Sequence, residues 1–114
     1  MRQAKQNIAL EALSAKAMDV AGLLKVLAND QRLLVLCHLV AEGELSVGAL
    51  AERLELSQSA LSQHLARLRI QGLVDFRRQS QTLHYRLADP KAARLLETLR
   101  DLYCPELVAE GDGA

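Results

Sequence analysis

The chain has 114 residues, half of them hydrophobic but only three aromatic, two Tyr and one Phe. That length implies one domain over residues 1–114, with a Leu-, Val- and Ala-rich interior that favours helices and a core small enough for a partner subunit to help. No apolar run approaches the roughly 18 residues of a membrane span, MRQAKQNIALEALSAK lacks the apolar stretch of a secretory signal, and two cysteines in such a chain suit a reducing, cytoplasmic setting without a static disulfide.

In chain order, Leu13, Ala17, Val20, Leu24 and Leu27 recur at spacings of four and three and predict one long first helix over residues 1–28. Asn29 can cap a second helix at its N-terminus, with Asp30 favourable in the first turn. That helix runs through QRLLVLCHLVAE and stops at Gly43. Ser46 offers a cap for a short third helix, VGALAERL, and Leu56-Ser57 marks a turn. Ser57 can then cap a fourth helix, QSALSQHLARLRIQ, closed by Gly72.

After Gly72 the period changes to two. LVDFRR alternates Val74 and Phe76 with Asp75 and Arg77, and TLHYRL alternates Leu83, Tyr85 and Leu87 with His84 and Arg86; the short polar QSQ between them makes a β-hairpin over residues 73–88. Asp89-Pro90 starts a last helix over 89–104, with Pro90 suited to its first position and Leu95, Leu96, Leu99, Leu102 and Tyr103 as its apolar face. Pro105 ends it, and residues 105–114 read as a frayed tail. The stripes of the first and last helices hold more apolar surface than one small domain needs. They predict a symmetric homodimer, although either stripe could also be ordinary core.

The formal net charge of zero hides a basic middle. Residues 57–94 carry seven Lys/Arg against Asp75 and Asp89, whereas residues 95–114 carry Arg100 against five acids. A neutral chain with such a segment is a candidate for local polyanion binding, or simply has a solvated face.

Two helices joined by a tight turn (46–72) and followed by a basic hairpin outline a winged helix-turn-helix: mainly α, ordered α-α-α-α-β-β-α, with the hairpin as wing. The fourth helix begins with Gln58, Ser59, Ser62 and Gln63, followed by His64 and Arg67, while Ala60, Leu61, Leu65 and Leu68 supply its buried stripe. Gln can bond the adenine edge in two places, and Ser can meet a base or a phosphate. The first turn carries no long charged side chain, so the backbone can come close to DNA phosphates. Gln58, Ser59, Ser62, Gln63 and His64 are thus expected in the major groove of double-stranded DNA, with Arg67 at its rim. Arg77 and Arg78 are expected on phosphates or the minor groove. The plainer reading of the same helix start is good capping.

GELSVGALAERLELSQSALSQHLARLRIQGLV, with LLKVLANDQRLLVLCHL before it, resembles the DNA-binding core of the ArsR/SmtB family of bacterial repressors, from about Ala21 to Cys104. Asp30 stands where proline is common in that family. The resemblance implies a homodimer, held by the first and last helices, that releases an inverted-repeat operator on sensing an inducer.

The inducer of many members is a metal, sensed through the signature ELCVCDL. Here Glu44–Leu50 reads ELSVGAL, so Ser46 and Gly48 replace both thiolates and no soft-metal site can form there. The family's other common site needs Asp and His ligands on the last helix, and DPKAARLLETLRDLYC has no His. His38 cannot join Cys37, because adjacent helical residues diverge by about 100°. No metal is expected.

Cys37, taken alone in VLCHLV, reads most simply as a small buried hydrophobe, and Cys104, at a helix end before Pro105, as the more accessible thiol. LCHL on the second helix and LYC at the end of the last are similar to the two-cysteine branch of the family, that of the HlyU-like regulators. That resemblance implies a switch: Cys37 and Cys104 form a disulfide or polysulfide bridge in response to sulfide-derived persulfides or oxidants, the reduced protein binding DNA and the bridged one releasing it. A regulator of the same fold with a metal-dependent input or no thiol switch is the alternative. An enzyme is not expected, since the chain lacks a CxxC, a Gly-rich phosphate loop and a convergent His/carboxylate set, and with them any call for a cofactor.

Overall fold

Helix boundaries in this chain are set largely by side chains close in sequence. The computed structural model describes residues 2–104, with side chains from residue 9 onward; Met1, Pro105 and the tail read as frayed lie outside the described residues. The elements run α1 (Arg2–Ala15), α2 (Ala17–Leu27), α3 (Asp30–Glu42), β1 (Glu44–Ser46), α4 (Val47–Leu54), α5 (Gln58–Ile70), β2 (Val74–Gln79), β3 (Thr82–Leu87) and α6 (Pro90–Tyr103). Asn29, Ser46 and Ser57 each accept the backbone N–H three residues on, at 3.1 Å, which starts α3, α4 and α5. The three predicted caps are thus formed, and a fourth starts the last helix: Asp89 accepts from the Lys91 N–H at 2.9 Å and Pro90 opens α6.

Two elements differ from expectation. The stretch read as one first helix is broken at Lys16 (φ −102°, ψ 1°), where its N–H bonds to the Leu13 carbonyl at 3.0 Å. That tighter three-residue turn interrupts the α-helical ladder, and no Gly or Pro announces it. The hairpin gains a third strand: β1 pairs with β3 through Glu44↔Arg86, Leu45↔Tyr85 and Ser46↔His84, giving a sheet of order β1-β3-β2. Three residues cannot display a strand period by themselves; β1 exists because β3 offers it an edge.

The core lies where α3 and α5 meet the sheet and α6. Val35, Leu36 and Leu39 of α3 and Leu61, Leu65 and Leu68 of α5 are essentially sealed from solvent, with Leu50, Leu73, Val74, Ala92 and Leu96 around them. Among the described residues, the first helices bury Val26 and Leu27, with Leu23 partly buried against the core. Leu10, Leu13, Val20 and Leu24 stay exposed in the single chain, as do Leu102 and Tyr103. The stripe over Leu13, Val20 and Leu24 is therefore not intrachain core, whereas α6 divides its apolar face, burying Leu96 and half-burying Leu95 and Leu99.

Candidate nucleic-acid interface and cysteine pair

The turn between α4 and α5 aims the second of these helices. α4 ends with Glu55 in left-handed conformation (φ 54°); its N–H reaches the Glu52 carbonyl and the Leu56 N–H reaches that of Ala51. This is the double closure usually built on glycine. Ser57 follows at once as the cap of α5. Three sealed leucines then fix the rotation of α5 about its axis, so Gln58, Ser59, Ser62, Gln63 and Arg67 face solvent and His64 is half-buried. Arg53 of α4 bonds Glu42 at the end of α3 at 2.8 Å, bracing the pair from behind.

The hairpin is tied to α5 by a contact the sequence did not reveal. The Arg69 guanidinium, in the last turn of α5, lies 4.2 Å from the centroid of the Phe76 ring on β2. Phe76 in turn packs against Tyr85 of β3, with ring centroids 5.4 Å apart. A cation over an aromatic face is attracted by the ring quadrupole, so this stack couples the hairpin to the exposed helix. Only the approach of β2 to α5 makes the pair, which is why charge counting saw Arg69 merely as one more cation.

Arg77 and Arg78, expected to act alike, have different surroundings. On the outer sheet face Arg77 is bound to Glu44 of β1 (Nη2···Oε1 2.7 Å) and donates to the Gln79 side chain at 3.0 Å. Arg78 points to the other face and has no ion pair among the described residues. The hydrogen bond from Arg77 holds the Glu44 carboxyl below its ordinary 4.5, against an opposing effect of burial, and the charges of Arg77, His84 and Arg86 reinforce it. A depressed carboxylate stabilises the fold above its unfolded pKa, and that contribution fades as pH falls through the folded value. Glu44→Gln is therefore expected to be slightly less stable than wild type at pH 7 and to converge with it as pH falls below about 4.5, read from urea melts at stepped pH; a deficit that persists unchanged in acid would contradict the ion pair as its source.

Cys37 departs from the expectation of a packed interior thiol. It is exposed in the single chain, whereas Cys104 is half-buried, and both are free. The helical phase that buries Val35, Leu36 and Leu39 turns Leu34 and Cys37 outward. Accessibility thus runs opposite to the prediction. α3 packs against α6, and this brings the two cysteines into one electrostatic neighbourhood. The Cys37 thiol is pushed above its ordinary 9.0 by burial against neighbouring atoms and, secondarily, by the negative charge of Cys104. Cys37 alkylation by iodoacetamide should rise with pH to a midpoint above 9.0, and Cys104→Ser should move that midpoint down without removing the whole shift; an unchanged midpoint would contradict the coupling. Among the described residues, no three His, Cys, Asp or Glu side chains converge as metal ligands would.

The comparisons agree with this architecture. A family model described as bacterial regulatory protein, arsR family, matches residues 29–75. The chain is 53% identical over 95 residues to the transcriptional activator HlyU of Vibrio cholerae, covering 83% of this chain and 84% of that protein. It is 48% identical over 98 residues to the biofilm growth-associated repressor of Agrobacterium fabrum, covering 86% and 83%. The structure of reduced HlyU from Vibrio cholerae superposes with a TM-score of 0.77 at 48% identity, over 82% of this chain and 98% of that one. The homodimeric winged helix-turn-helix DNA-binding domain of Mb0332 from Mycobacterium bovis does so at 0.71 and 33% identity, over 82% and 86%. These relatives are transcription regulators rather than enzymes, and the fold here is the same winged helix-turn-helix. The chain belongs to the ArsR family of bacterial regulatory proteins, which bind DNA.

Proposed function

We propose that this regulator is a cytoplasmic homodimeric repressor that holds an inverted-repeat operator while Cys37 and Cys104 are reduced and releases it when a disulfide or polysulfide joins them. Gln58, Ser59, Ser62, Gln63 and His64 read the major groove, Arg67 sits at its rim, and Arg77 and Arg78 meet the backbone or minor groove. Residues 1–28 and 89–104 hold the dimer together. The observation that carries the reading is the packing of α3, which bears Cys37, against α6, which ends at Cys104, with both thiols free.

In the simplest form of the reaction, one cysteine thiolate attacks the outer, sulfane sulfur of a persulfide RSSH. It takes that sulfur as Cys–SSH and releases RS⁻. The second cysteine thiolate then attacks the cysteine-bound sulfur, forms the protein disulfide and expels HS⁻. The exposed position of Cys37 makes it the easier of the two to reach, and its raised pKa limits its thiolate fraction near neutral pH. Bridging constrains α3 against α6. In a dimer using α6, this changes the spacing of the two α5 helices, which must match about 34–36 Å along DNA.

The test is intact-mass analysis run beside operator binding on the same samples, after persulfide, peroxide or zinc. The reading expects an intramolecular bridge and loss of binding with persulfide, and little effect of zinc. Cys37→Ser and Cys104→Ser should each bind operator normally and fail to release it. A Cys104→Ser protein that still releases DNA on persulfide treatment ends the two-thiol mechanism; release by zinc in the double variant favours a metal input.

A further inference from the structure

At the far end of α5 from its exposed glutamines lies a cleft of about 450 Å³, between α2, the start of α3 and the last turn of α5. Three cations line it, one from each helix: Lys25, Arg32 and Arg67. None of the lining residues is acidic, and none of the three cations forms an ion pair among the described residues. Arg32 is half-buried; its Nε is sealed from solvent and has no hydrogen-bond partner. A guanidinium N–H removed from water without an acceptor is unfavourable, and three like charges around one cleft repel each other unless something negative enters. The Gln71 side chain adds a neutral polar group, and Gly22, where an added Cβ would meet nothing within 4 Å, leaves the mouth of the cleft open.

We propose that this cleft is an oxyanion seat that takes a phosphate-type group, with Arg32 as its central donor and Lys25 and Arg67 as flanking charges. The planar fork of Arg32 offers parallel donors to two oxygens of one group, and lysine supplies a point charge beside it. Arg67 gives the seat its connection to DNA reading, since it lies on the helix proposed to enter the groove. Two sources fit the chemistry. One is an operator backbone phosphate, received where α5 would leave the groove; the other is a free small phosphate. The first rests on the DNA-reading proposal above, whereas binding of free phosphate does not.

The experiment therefore has two arms. Inorganic phosphate is titrated, without DNA, into the full-length protein at constant ionic strength, following the Arg32 Nε–H and Gly22 amide resonances, with sodium chloride as control. Saturable shifts in wild type, weakened about tenfold or more in Arg32→Gln and Lys25→Gln, are the expected result. Lys25 is exposed, so its variant keeps the test valid should Arg32→Gln fail to fold. Shifts no larger than those of chloride overturn the seat. In the second arm, the salt dependence of operator binding is compared between wild type and Lys25→Gln. A slope of log K against log salt shallower by about 1.8, one phosphate in each protomer at about 0.9 apiece, identifies the occupant as a backbone phosphate, and an unchanged slope with saturable phosphate binding identifies a free anion. If neither protein binds operator while phosphate still saturates the cleft, the DNA-reading proposal fails and the seat stands.

Discussion

Leu61→Ala is expected to lower the unfolding free energy by about 2–5 kcal/mol, measured by urea denaturation, because Leu61 is fully sealed in the core and its truncation leaves a cavity. Against a total of about 5–15 kcal/mol for a small domain, that loss brings the protein close to unfolding. Leu61 also lies between Ser57 and Leu65 on the inner face of α5, so the cavity opens directly beneath the exposed glutamines. Operator affinity should fall with stability, and a small ligand filling the cavity should restore part of both. Truncating Leu13, more than half exposed in the single chain, should leave monomer stability within about 0.5 kcal/mol; any larger cost should depend on protein concentration, as dimer loss requires.

The second large effect concerns DNA. Gln63→Ala should cost ~1–3 kcal/mol of operator affinity and relax the sequence preference, since a bidentate contact to a base edge discriminates among bases. Arg78→Ala should weaken operator and random DNA alike and make the salt slope shallower by about 1.8, one phosphate in each protomer. Arg77→Ala should do less than Arg78→Ala, because Arg77 is held by Glu44 at 2.7 Å and must surrender that partner to reach a phosphate. Competition binding against scrambled operator, in a salt series, measures all three. Gln63→Ala with both affinity and preference intact would remove α5 from the groove.

What could be read in the sequence was whatever is decided within a few residues. Asn29, Ser46, Ser57 and Asp89 each cap a backbone N–H two or three positions away, and Gly72, at φ +75°, closes α5 where a glycine was the visible signal. The turn after α4 makes the same double closure with Glu55, at a left-handed φ that costs a non-glycine residue about 1–2 kcal/mol. The turn's position could be read, but not the residue that makes it. β1, the Arg69–Phe76 stack and the Glu44–Arg77 pair depend on partners more than five residues away, and no local pattern announces them. Cys37 is a different case. Within VLCHLV it reads as a small buried hydrophobe, although the helical phase, with Val35, Leu36 and Leu39 inward, already turns position 37 out.

Ser46 carries two duties at once: it pairs with His84 in the sheet, and its Oγ accepts the Ala49 N–H at 3.1 Å to start α4. In the metal-sensing signature a thiolate stands at this position, and a thiol is a weak acceptor that caps a helix poorly. Ser46→Cys in this chain would forfeit about 0.5–2 kcal/mol of helix start before any metal could compensate. Position 48 carries no such penalty of space, since a Cβ on Gly48 meets nothing within 4 Å. Descent from this sequence toward a thiolate metal sensor therefore has a preferred order, with Gly48 changing first and Ser46 only once the second ligand has somewhere to bind.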